Sequence, residues 1–214
     1  MGKAYFKKHL IPITFLLFLQ TGILSVTGCT TTPNFKTAAE HAPPGFSVKA
    51  LPVFILPEAD SKNGIRAIFL DNSKKNILSI TVVLADEDHP SAFTDFIYDI
   101  YRRFKYKRTE DVETFNYYYS KQSDIKNGFP EKVIFPTTYS KNQPFFTKDV
   151  KHYTEAVAFS AFTLKENRPL IFINTWNHLF SENNNNRDLK LNTIENYPVY
   201  IGSRADVEKL YRGR

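Results

Sequence analysis

The sequence predicts an α+β domain: a mainly antiparallel sheet with a helix packed on one face and a short C-terminal helix. Three observations carry that expectation. Two β-rich runs, IRAIFL at 65–70 and ILSITVVL at 77–84, are separated only by the polar segment DNSKKN, as in a hairpin. Residues 91–105 place Phe93, Phe96, Ile97, Ile100, Tyr101 and Phe104 at helical spacing, which gives one apolar stripe. Near the C-terminus, Ser203 stands three residues before Asp206, a spacing at which each side chain can cap the other's backbone.

The remaining elements follow in order. Residues 50–56, ALPVFIL, suit an edge strand, because Pro52 lacks an N–H for the ladder. The helix over 91–105 is expected to lay its apolar stripe across the sheet, with Asp95, Asp99, Arg102 and Arg103 on the opposite face. Further strands are expected at 112–120, 132–135, 152–164 and 169–173. The last two are joined by the four residues KENR, a link short enough to demand antiparallel pairing. A strand at 197–201 leads into the final helix, which Val207, Leu210 and Tyr211 are expected to bury.

The N-terminus has a different character. Lys3, Lys7 and Lys8 precede a run over 10–26 rich in Leu, Ile and Phe, the pattern of an export signal. Pro12, Thr14, Gln20, Gly22 and Ser25 interrupt that run, so it falls short of the ~20 apolar residues of a permanent span. It ends at Val26-Thr27-Gly28-Cys29, and Cys29 is the only cysteine in the chain. These four residues resemble the lipobox of bacterial lipoproteins. The resemblance implies cleavage after Gly28, lipid attachment at Cys29 and acylation of the new amine, palmitate being a typical chain. Thr30, where inner-membrane lipoproteins tend to carry Asp, points to the outer membrane facing the periplasm if the envelope has two membranes. Two or more acyl chains hold a protein stably, whereas one binds reversibly.

The expected organisation is therefore a signal peptide over 1–28, a lipidated cysteine and flexible tether over 29–48 containing Pro33, Pro43, Pro44 and Gly45, and one domain over 49–214. The formal charge of +6 overstates the mature protein, because the leader carries three lysines and no acid, leaving 25 basic against 22 acidic residues. A nucleic-acid partner is not required by that balance. With a single cysteine the domain has no internal disulfide and depends on its core.

Candidate chemistry is sparse. No glycine-rich phosphate loop is present, and neither a paired cofactor motif nor a supported serine-nucleophile motif is found. If residues 176–182 form a helical turn, His178 and Glu182 share a face at i,i+4, a spacing suited to zinc or to a general base and its partner. A third ligand could come from Asp86, Glu87, Asp88 and His89, or from His152. The alternative is a solvated helix end above Trp176 and Phe180. The acids at 86–88 suit either a cation loop or the start of the helix at Pro90. The segment RRFKYKR at 102–108 suits an anionic lipid or protein surface, or a favourable helix C-terminus. Aromatics at 115–119 suit sugar stacking or packing across a sheet. The function expected from this pattern is a noncatalytic accessory or binding module of the envelope, tethered to the membrane and meeting another envelope protein or anionic surface. The rival is a lipid-anchored hydrolase using His178 and Glu182. No cofactor and no catalytic or metal residue is assigned.

Overall fold

The computed structural model describes residues 43–212. The expected signal peptide over 1–28, Cys29 and the expected tether as far as residue 42 lie outside the described residues. Among the described residues there are eleven strands: β1 (Val53–Pro57), β2 (Ile65–Asp71), β3 (Ile77–Leu84), β4 (Asp111–Tyr118), β5 (Lys132–Tyr139), β6 (Tyr153–Ala158), β7 (Leu164–Lys165), β8 (Arg168–Ile173), β9 (Phe180–Ser181), β10 (Leu191–Ile194) and β11 (Val199–Ile201). Three α-helices accompany them: α1 (Ala92–Lys105), α2 (Asp124–Asn127) and α3 (Arg204–Tyr211).

This architecture corrects the α+β expectation of a mainly antiparallel sheet covered by a helix. The molecule is mostly β, and its sheet is mixed and curls into a half-barrel. Its order is β10-β1-β8-β9-β5-β4-β3-β2-β11, with β6 beside β5 and β7 beside β8. β1 runs parallel to β8, β11 to β2 and β5 to β9. The predicted hairpin is β2–β3, antiparallel from Ile65↔Leu84 to Asp71↔Ser79. The predicted pairing of the runs at 152–164 and 169–173 shrinks to the two-residue β7–β8 ladder, because β6 pairs with β5 instead. β1 is not an edge strand. It begins after Pro52 and is bonded on both sides, to β10 and β8.

Strand alternation explains the core. Leu78, Ile80, Val82 and Leu84 of β3 oppose Tyr117, Phe115, Glu113 and Asp111 of β4. Phe54, Phe115, Phe135 and Phe180 form a fully buried aromatic cluster within the main core. The aromatics at 115, 117 and 119 therefore pack rather than present a sugar platform. Arg168 threads this core, donating to the carbonyls of Leu51, Pro52 and Glu195. Phe46 also packs against it.

A second, smaller core lies under α3, where Val207 and Tyr211 meet Ala67, Phe69, Val83 and Val112. Ser203 accepts from Asp206 N at 3.3 Å while the Asp206 carboxylate accepts from Ser203 N at 2.9 Å, forming the expected capping box. Leu210, expected inside, is exposed.

The largest departure concerns α1. The helix spans the predicted residues but is turned over: Arg102 is buried, whereas Phe93, Phe96, Ile97, Ile100, Tyr101 and Phe104 are exposed. Polar contacts beneath it explain the orientation, as described next.

Candidate functional site

The loop Ala85–Pro90, between β3 and α1, carries three consecutive acids, and each has a structural partner. Asp86 Oδ1 accepts from Arg102 Nη1 at 2.7 Å, and Arg102 also donates to the Thr109 carbonyl. Glu87 Oε1 lies 3.7 Å from Arg102 Nη2. Asp88 takes Lys62 at 2.7 Å and Asn63 at 2.6 Å. Asp95 of α1 accepts from His89 N at 2.6 Å, and the His89 ring packs on Trp176, 4.7 Å between centroids. The polar face of α1 is thereby bonded inward, so the apolar face points away. The acids at 86–88 precede the helix rather than occupy its first turn, and Ser91 takes the N-cap position.

His178 lies beneath this loop. The segment 174–179 is a turn rather than a helix: His178 N donates to Thr175 O at 2.9 Å, the Thr175 hydroxyl accepts from Leu179 N, and His178 adopts φ 58°. That left-handed backbone is uncommon for a residue with a Cβ, and here it aims the ring into the protein. Nδ1 is 2.9 Å from Asp111 Oδ2. Nε2 is 3.2 Å from Asp60 Oδ2, close enough for an ion pair but without the alignment of a hydrogen bond. The ring is fully buried. Burial opposes its charge, yet the hydrogen bond to Asp111 and the close negative charges of Asp111 and Asp60 outweigh that and push its pKa up to about 10.

The expected His178–Glu182 arrangement does not form. Glu182 accepts from the Tyr139 hydroxyl and from Asn183 Nδ2 instead. Among the described residues, no three His, Cys, Asp or Glu side chains converge as a metal site. His152 is elsewhere, its Nδ1 2.9 Å from the Thr137 carbonyl and its Nε2 3.3 Å from Asn177 Nδ2. The asparagine tract 183–186 is hydrogen-bonded into the domain. Asn186 donates to Asn174 O at 2.9 Å and accepts from Phe145 N at 2.7 Å, while Asn174 donates to Ser140, Ser181 and the Asn183 carbonyl.

Two adjoining cavities make the concave polar surface of the domain. The larger, about 580 Å³, lies over the β3–β4 pairs Ser79–Asn116 and Thr81–Thr114, whose side chains bond at 2.7 and 3.0 Å. The smaller, about 250 Å³, reaches Glu87, Tyr98, Arg102 and Asp111. Glu113, His152 and Arg204 line both, so they form one cleft. Arg204, at the start of α3, donates to Thr114 Oγ1 at 3.2 Å, and Arg108 grips Glu208 through two 3.2 Å bonds.

The cleft joins opposite protonation states. Burial, then the Asp111 charge, push Glu87 up to about 8 against the opposing Arg102. Burial also raises Glu113, whereas His178 holds Asp111 below its ordinary value despite burial. Near neutral pH a protonated Glu87 therefore sits beside an ionised Asp111, with arginines alongside. Such a surface supplies hydrogen-bond donors and acceptors of both charges to a polar ligand. Of the residues lining the cleft, only Glu87 and His152 stood out in the sequence as candidate ligands; the other candidates, Asp86, Asp88, His89, His178 and Glu182, are engaged outside its lining. Asp60, Asp111 and Glu113 carry no local motif.

The Glu87 shift has a stability consequence. Its folded pKa exceeds the ordinary 4.5, so between about pH 4.5 and about pH 8 the unfolded chain loses a proton that the folded chain retains. Stability therefore falls as pH rises, with a ceiling of about 1.4 kcal/mol per pH unit for one group. Glu87→Gln keeps a neutral hydrogen-bonding side chain. It is expected to flatten the decline and raise stability at pH 8 by about 1–2 kcal/mol. Thermal melts of both proteins across this range check it, and an unchanged slope would refute the assignment.

Comparison with known proteins gives no match to a family model, a curated protein or a solved structure.

Proposed function

We propose that the protein is a lipid-anchored bacterial envelope lipoprotein whose β domain is a noncatalytic accessory or binding module, engaging a polar partner through the cleft over β3 and β4. The observation that carries the binding role is the continuous cleft itself. Its wall of paired Ser, Thr and Asn side chains, flanked by Arg204 and Glu113, offers many polar contacts on a sheet whose main-chain groups are already bonded. The lipobox-like residues ending at Cys29 support the membrane address. The hydrolase alternative lacks comparable support, because the His178 ring is enclosed by two carboxylates and Glu182 serves Tyr139.

The test is photo-crosslinking in the native envelope. A photoreactive residue at Lys74, which lines the cleft, is expected to give a discrete adduct that Arg204→Glu abolishes. The same probe at Lys190, outside the cleft, is expected to give none. Equal adducts from both positions, or none from either, would refute binding through this surface.

A further inference from the structure

Monomeric proteins rarely expose large contiguous apolar patches, and those they do expose usually mark an interaction surface. α1 presents such a patch. Its six large apolar residues are 38 to 80% exposed, and Phe93 and Phe104, near its two ends, are the most exposed at 76% and 80%. A helix of 14 residues is about 21 Å long, so the stripe is a long, narrow ridge.

The distribution of charge identifies what covers it. Between 92 and 108 both acids, Asp95 and Asp99, lie half-buried on the inner side. Arg102 and Arg108 are buried and paired. The charges left exposed over this stretch, Arg103, Lys105 and Lys107, are all cations. Lys105 lies 5.0 Å from the ring centres of both Tyr101 and Tyr106, gathering amphipathic rings and cations at the helix end. Aromatics with an apolar body and polar tip favour the headgroup level of a bilayer, and nearby lysines and arginines favour anionic lipid.

We infer that α1 is an interfacial helix, lying in the plane of an anionic phospholipid membrane with Phe93, Phe96, Ile97, Ile100 and Phe104 inserted among the acyl chains and Arg103, Lys105 and Lys107 on the phosphates. This rests on the reading that the protein works at a membrane, but adds a contact that an acyl anchor alone does not require. No described helix is long and apolar enough to cross a membrane, so α1 lies on the surface rather than spanning. The inward bonds of Arg102 and Asp95 hold the apolar face outward before lipid arrives. The helix therefore need not refold to bind. A second copy of the chain would equally bury the apolar ridge, but would bring the two sets of exposed cations together without a matching acidic surface on the helix.

The test uses the full chain, purified from bacterial membranes and reconstituted with vesicles of phosphatidylcholine containing roughly one-third phosphatidylglycerol. Phe104→Trp adds a reporter, and the wild-type chain supplies the baseline from Trp176. The indole at position 104 is expected to shift to shorter wavelength and lose about half or more of its emission to lipids brominated on their acyl chains. Both effects weaken in purely phosphatidylcholine vesicles or on combining Phe104→Trp with Arg103→Glu and Lys107→Glu. A chain that floats with the vesicles while this indole stays unquenched would overturn the helix contact and leave the acyl anchor standing. A chain that does not float would overturn both. A wavelength shift that depends on protein concentration without lipid would assign the ridge to a second copy instead.

Discussion

Replacing His178 by alanine is expected to destabilise the domain by about 3–5 kcal/mol, the cost of leaving buried charges without their partner. The fully buried ring sits between Asp60 and Asp111, 3.2 and 2.9 Å away. Its removal leaves two carboxylates facing each other across a cavity, so part of the loss comes from their repulsion. For a domain of this size the melting temperature is expected to fall by about 10 °C or more. His178→Gln, which can donate to only one carboxylate, is expected to recover part of the loss.

The pH dependence distinguishes this from simple cavity formation. The folded pKa of about 10 exceeds the ordinary 6.5, so the stabilisation is fully present below pH 6.5 and lost as pH rises through about 10. Wild-type stability is expected to decline over that window and the alanine variant to show a shallower decline there. Parallel thermal melts check both points. Equal slopes would show that His178 does not carry the charge assigned to it.

The second large effect is expected at Arg102. Arg102→Met preserves most of the side chain's length but removes the guanidinium that binds Asp86 and the Thr109 carbonyl and lies near Glu87. Breaking a buried pair by removing one partner costs several kcal/mol; here about 2–4 kcal/mol is expected, concentrated in α1 and its approach loop because the cation is their chief inward bond. Amide exchange should accelerate over residues 86–109 while β3 and β4 retain protection. Unchanged exchange in α1 would contradict the account of why the helix sits with its apolar face outward.

These two residues also show what the sequence could and could not convey. The span of α1, the β2–β3 hairpin and the Ser203–Asp206 capping box were legible because each depends on spacing within a few residues. The burial direction of α1 was not. Periodicity defines an apolar face and a polar face, but the choice of which faces the protein was made by Asp86, Glu87 and Thr109 gripping Arg102. His178 and Glu182 share a face only if residues 176–182 form a helical turn. Thr175 instead closes a tight turn, and the ring's partners come from Asp60 and from Asp111, 67 residues away in sequence. The parallel pairings of β1 with β8 and β2 with β11 likewise join distant segments, for which local patterning gives no signal.

The membrane address is the premise on which the cleft and the α1 ridge acquire a common purpose, and the intact mass of the protein purified from its native membranes tests it most directly. The expected result is a chain beginning at Cys29, with residues 1–28 absent and a diacylglycerol-bearing thiol, and no acylated species from Cys29→Ser. A native chain retaining Met1, or one with an unmodified Cys29, would contradict it.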